Sequence, residues 1–97
     1  MRSLATLAAA TTAIGAGALS SAISGFGNTA TGAYALHASS FGTENTAYGG
    51  GALGFNTTGS ENTAIGLDAL ADNTTGNNNT ATGVQALLNN TGNSNIA

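Results

Sequence analysis

The stretch Asn62-Thr63-Ala64-Ile65-Gly66-Leu67-Asp68-Ala69-Leu70 decides the fold, because it is one copy of a unit, Asn-Thr-Ala-x-Gly-x-x-Ala-Leu, that returns every seventeen residues. The glycine of the unit falls at Gly15, Gly32, Gly49, Gly66 and Gly83. The Ala-Leu pair ends in Leu19, Leu36, Leu53, Leu70 and Leu87, and the leading asparagine stands at Asn28, Asn45, Asn62 and Asn79, with Thr11 in its place in the first copy. A second glycine keeps the same step at Gly25, Gly42, Gly59 and Gly76, and arrives at Gly92 in a fifth copy one residue short. A fixed period of this kind builds an array of stacked coils, each too small to bury a core alone. The array occupies residues 11–97, with copies opening at residues 11, 28, 45, 62 and 79 and a truncated one at 95; residues 1–10 are a lead-in without clear register.

Each copy carries two short stretches with strand character, one around Asn-Thr-Ala-x and one around Ala-Leu and the residues after it. Glycines separate them, and glycine suits corners because it reaches positive φ without steric cost. A chain that turns at fixed intervals and advances one strand spacing per coil, about 4.8 Å, is a parallel β-solenoid. The spacing therefore predicts an all-β solenoid of about five 17-residue coils. A helical reading fails on length: no Gly-free interval between residues 11 and 60 reaches the usual helix of about ten to twelve residues, and glycine costs about 1 kcal/mol inside a helix.

Alternation along a strand assigns its faces. Ala13, Ala30, Ala47, Ala64 and Ala81 are expected inward, where a thin coil has no room for bulk. Thr12, Thr29, Thr46, Thr63 and Thr80 then face outward beside the variable column Ile14, Thr31, Tyr48, Ile65 and Thr82. The leucine column is expected in the core or in a seam between chains. The asparagine column has two readings, an amide ladder along the axis or a turn residue chosen for its conformation.

Composition excludes several functions. Only 5% of residues are charged and the net charge is −3, so no basic patch is available for nucleic acid. There is no cysteine, hence no disulfide framework or thiolate metal site. The 41% hydrophobic fraction is largely alanine, so one chain buries modest apolar area at about 25 cal/mol per Å². Shared surface between chains is expected to supply the remainder. Met1-Arg2 and the apolar run from Leu4 to Leu19 have the character of a secretory signal. The same run, from Thr12 to Leu19, matches the repeat residue for residue, and we read it as part of the array. Nothing else is apolar long enough to span a bilayer. The sixth copy stops after Asn95-Ile96-Ala97 without a polar cap, as expected of a segment of a longer array or of a unit completed by other chains.

Groups for catalysis are few: His37 is the only histidine and Arg2 the only basic side chain. Ser20, Gly54, Ala71 and Leu88 hold the position of His37 in other copies, so we read it as a substitution at a tolerant site. Glu44 and Glu61 stack in successive copies, but Gly27, Asn78 and Ser94 share their column, which marks a solvated corner. Asp68 and Asp72 stand apart, and the glycine-aspartate nonapeptide of calcium-binding β-rolls is missing. Gly25-Phe26-Gly27 and Gly49-Gly50-Gly51 lack the lysine and hydroxyl of a phosphate loop and are read as corners. Asn56, Asn73, Asn78 and Asn89 head sequons of the kind that Asn-Thr richness produces by chance. No catalytic residue, metal or cofactor is expected, and the chain is read as a non-enzyme.

The units Asn62-Thr63-Ala64-Ile65-Gly66 and Asn79-Thr80-Ala81-Thr82-Gly83, with Asn73-Thr74-Thr75-Gly76 between them, resemble the head repeats of YadA-like trimeric autotransporter adhesins and related phage tail-fibre shafts. The resemblance covers residues 11–97. It implies a left-handed parallel β-roll, a parallel homotrimer, an extracellular place on a bacterial surface or virion, and attachment to a host-surface protein or glycan. The head repeat of that family is shorter than this one, and its stalk and anchor have no counterpart among these residues. An alternative is an ice-binding solenoid: Asn-x-Ala-x-Gly also resembles the Asn-x-Val-x-Gly repeats of plant ice-recrystallisation inhibitors, and the Thr column could present hydroxyls and methyls at regular spacing. Tyr48 and the two isoleucines of the neighbouring column spoil the flatness that such a face needs.

Overall fold

Threonine flanked by alanine and a second β-prone residue, closed by a glycine, makes a strand of three residues and no more. Five such strands form, β1 (Thr12–Ile14), β2 (Thr29–Thr31), β3 (Thr46–Tyr48), β4 (Thr63–Ile65) and β5 (Thr80–Thr82). The computed structural model describes residues 11–20, 25–39 and 41–97. The lead-in segment 1–10, and with it the first part of the signal-like run, lies outside the described residues. The five strands make one parallel sheet in chain order, each residue paired with its equivalent seventeen positions on, as in Thr46↔Thr63, Ala47↔Ala64 and Tyr48↔Ile65. The chain is thus an all-β parallel solenoid of about four turns.

The strand faces follow the expected alternation. Ala30, Ala47, Ala64 and Ala81 are fully buried, while the threonines and the variable column point outward. Leu19, Leu36, Leu53 and Leu70 are fully buried with the alanines that precede them and Leu87 is partly buried against them, which places the leucine column in the core of the chain.

The second expected strand is not there. The Ala-Leu stretch is instead a run of tight turns, with Ala52 N–H donating to the Gly49 carbonyl at 3.2 Å and Gly54 N–H to Gly51 at 2.8 Å. Its leucines hold φ between 50° and 52°. A left-handed conformation costs a non-glycine residue roughly 1–2 kcal/mol. Full burial of a leucine returns about 1.5–3 kcal/mol, and its N–H is not wasted: Leu53 N–H reaches the Ala69 carbonyl of the next coil at 2.9 Å. Two further columns are left-handed, one through Tyr34, Asp68 and Gln85 and one through Glu44, Glu61, Asn78 and Ser94. Corners are therefore made by more than glycine.

The two glycine columns do different work. Gly15, Gly32, Gly49 and Gly66 have φ between 126° and 136°, and a Cβ on any of them would stand 2.5–2.7 Å from the carbonyl oxygen of the next glycine in the column. Gly25, Gly42, Gly59 and Gly76 are not left-handed. They are glycine because a Cβ would overlap the carbonyl oxygen of the equivalent glycine one coil on. Steric approach is the reason for this column, in place of the expected positive φ.

Buried asparagines complete the core, and here the ladder reading holds. Asn45 Oδ1 accepts from Asn62 N–H at 3.0 Å and from Asn62 Nδ2 at 3.1 Å, and Asn62 Oδ1 accepts in the same way from Asn79. A second ladder, unforeseen, runs through Asn56 and Asn73, with Asn73 Nδ2 donating to Asn56 Oδ1 at 2.9 Å. The two meet at glycine carbonyls: Asn62 Nδ2 and Asn73 Nδ2 both donate to Gly76 O, at 2.9 and 3.0 Å. The same crowding leaves no room for a side chain at Gly76, where a Cβ would overlap Asn73 Oδ1 and the Gly92 carbonyl oxygen.

Ser39 stands one coil before Asn56 in the second ladder and breaks it. Its hydroxyl is buried without a hydrogen-bond partner, a loss of roughly 1–3 kcal/mol. The substitution Ser39→Asn would extend the ladder toward Asn56 and the Gly42 carbonyl. It is expected to raise stability by about 1 kcal/mol, read as a higher urea midpoint with an unchanged slope.

Candidate functional site

Three parts of the surface carry side chains with chemical potential. The first is the strand face. Alternation along three-residue strands sets the threonines and the variable column on the same outer surface, and parallel pairing in register turns each into a line along the axis. Ile14 is 51% exposed, Tyr48 61% and Ile65 42%. Single apolar residues at a surface are ordinary, but a continuous stripe marks a contact. Tyr48 rises between Thr31 and Ile65 and interrupts the flat row.

The second part is His37. Stacking by seventeen puts it directly over Ser20, and Ser20 Oγ lies 2.7 Å from His37 Nδ1, with the Gly17 carbonyl at 3.2 Å from the same nitrogen. The Tyr34 ring meets the imidazole edge-on at a centroid distance of 5.2 Å. The tolerant position thus acquires a hydroxyl partner that a period of seventeen, applied to Ser20, would have disclosed. Both contacts use Nδ1, and among the described residues no carboxylate is hydrogen-bonded to the ring, the arrangement by which a third group orients the base in a catalytic triad.

The carboxylates spread out. Glu44 and Glu61 are exposed in the corner column, and Glu61 Oε1 accepts from Asn78 Nδ2 at 3.0 Å. Among the described residues no group of three or more His, Cys, Asp or Glu is placed to hold a metal ion. Of the sequon asparagines, Asn56 and Asn73 are fully buried in the second ladder and closed to modification in the folded chain, while Asn78 and Asn89 are exposed. No helix among the described residues is long and apolar enough to cross a membrane.

The third part is a groove of about 670 Å³ on the turn segments. It opens because the third coil offers Gly50, Gly51 and Gly54 where its neighbours offer Ala33, Tyr34 and His37 on one side and Leu67, Asp68 and Ala71 on the other. In the sequence Gly49-Gly50-Gly51 reads as a corner and Gly54 as one occupant of the His37 position. Aligning the columns shows the gap: three side chains are missing at once from a single coil.

Comparisons with protein-family models, with curated proteins and with solved structures returned no match to the chain.

Proposed function

We propose that the chain is a structural segment of an extracellular fibre or adhesin head, a rigid surface that works by association and attachment. The observation that carries this reading is the exposed strand face. A line of threonines and the line Ile14, Thr31, Tyr48, Ile65 and Thr82 lie side by side on the one regular sheet, while among the described residues the core behind it holds alanine, leucine, buried amides and Ser39. Side chains this small contribute little against an ordering cost of about 1.5 kcal/mol per residue. A parallel homotrimer would cover the face and place equivalent residues around a three-fold axis. The resemblance of the Asn-Thr-Ala-x-Gly units to trimeric adhesin heads and tail-fibre shafts supports the same arrangement, and with it a place on a cell or virion surface.

The exposed Thr column supports a second reading, an ice-binding face. One preparation separates the two. Light scattering at micromolar concentration is expected to give three times the chain mass, and the same sample is expected to show no thermal hysteresis. A folded monomer with hysteresis that is lost in Thr46→Tyr/Thr63→Tyr would replace the fibre reading by the ice-binding one. A folded monomer without hysteresis would refute the trimer.

A further inference from the structure

The glycine groove has the chemistry of a cation site, and we infer that it binds the guanidinium of an arginine side chain presented by a basic partner. Its floor is backbone, because Gly50, Gly51 and Gly54 supply no side chains. Tyr34 and Asp68 belong to the same column as Gly51, one coil before and one coil after it; the Tyr34 ring leans over Gly17 and the Asp68 carboxylate leans over Gly51. Two steps are about 9.5 Å between backbones, and the Asp68 carboxylate takes up the part of that gap next to Gly51.

The walls are largely apolar, with the rings of Tyr34 and Phe55 and a single carboxylate, Asp68. Tyr34 and Phe55 are both more than half exposed, and ring faces attract cations within about 6 Å. The Asp68 carboxylate leans over Gly51 into the place where a Cβ would sit, and Leu67 leans over Gly50 in the same way, with its Cδ1 3.2 Å from the Cβ position. Among the described residues no Lys or Arg is at hand to satisfy Asp68. The single Arg2 lies outside them, and the net charge is −3. A flat cation that stacks on an aromatic face and forks onto a carboxylate is guanidinium, which does both better than ammonium. A sugar would need many more polar partners than one carboxylate, one imidazole and one phenol for its hydroxyls. The groove lies on the turn segments and not on the strand face, so this inference stands apart from the trimer and survives its failure.

The test is a titration of the isotope-labelled chain with N-acetyl-arginine amide at pH 8, followed by backbone amide shifts. The neutral citrulline analogue and methyl glucoside serve as comparison probes. Saturable shifts are expected at Gly50, Gly51 and Gly54 with the arginine probe, and binding about fivefold or more weaker with citrulline, since the charge carries the attraction. Asp68→Asn is expected to weaken arginine binding about fivefold or more while keeping the fold, because Asn tolerates the left-handed φ at this position better than most residues. Gly50→Leu places in the third coil the residue that the next coil carries as Leu67, and is expected to abolish the shifts by filling the groove. Equal binding of citrulline and arginine, an unchanged affinity in Asp68→Asn, or no saturable shift with the arginine probe would each overturn the inference. Saturation by methyl glucoside in place of arginine would reassign the groove to a carbohydrate.

Discussion

Replacing Asn62 by alanine is expected to cost about 3–5 kcal/mol, the sum of two to three buried hydrogen-bonding groups left without partners. The Asn62 amide makes contacts in both directions along the axis. Its Oδ1 accepts the backbone N–H of Asn79 at 3.0 Å, and its Nδ2 donates to the Gly76 carbonyl at 2.9 Å and to Asn45 Oδ1 at 3.1 Å. Alanine removes all of them and adds a cavity the size of an amide. Asn62→Asp keeps the shape and the acceptor but converts the donor into a second acceptor facing two oxygens, so it is expected to be at least as damaging at neutral pH. Urea denaturation followed by circular dichroism checks both. A loss below 1 kcal/mol in Asn62→Ala would mean that water enters the ladder and that the amides are only turn residues.

The second large effect is Gly66→Ala. Gly66 has φ 130°, and an added Cβ would lie 2.5 Å from the Gly83 carbonyl oxygen, within the backbone of the next coil. Neither conformation nor neighbour can give way without shifting a coil. Gly83 provides the control within the same chain, since it has φ 125° but nothing within 4 Å of the Cβ position. Gly83→Ala is expected to cost about 1–3 kcal/mol, the conformational strain alone. Gly66→Ala is expected to cost at least about 2 kcal/mol more, which approaches the whole stability of a small domain. The thermal midpoints of the two variants check the difference. Equal midpoints would show that the coils separate freely enough to absorb a methyl group and that the glycine column is set by φ alone.

The repeat period was sufficient for the solenoid, the parallel register and the inward alanines, because stacking by seventeen is a statement about sequence and a three-residue strand has only two faces. Thr46↔Thr63 and Tyr48↔Ile65 could be paired on paper. The conformation of the Ala-Leu stretch could not. Leu53 has strand and helix propensities but no left-handed one, and it takes φ 51° because burial and the hydrogen bond to Ala69 exist only once the next coil is in place. The same holds for the asparagines. Nothing local distinguishes a turn amide from a ladder amide, and Asn56 became a core residue because its Nδ2 donates to the Gly59 carbonyl three residues on while its Oδ1 accepts from Asn73 one coil on.

For the surface the division is similar. The sequence alone determined that catalytic groups are scarce, that charge is low and negative, and that one sheet face would carry Thr beside Ile and Tyr. The columns already put Ser20 under His37 and three glycines side by side in one coil; only the tertiary structure decided that the Ser20 hydroxyl comes within 2.7 Å of His37 Nδ1, and that the missing side chains of Gly50, Gly51 and Gly54 leave a groove of about 670 Å³. The physical reason is common to both. Period and alternation are set by backbone geometry that every coil repeats, whereas these contacts arise where one coil departs from its neighbours, and a departure acquires its meaning from what stacks above and below it.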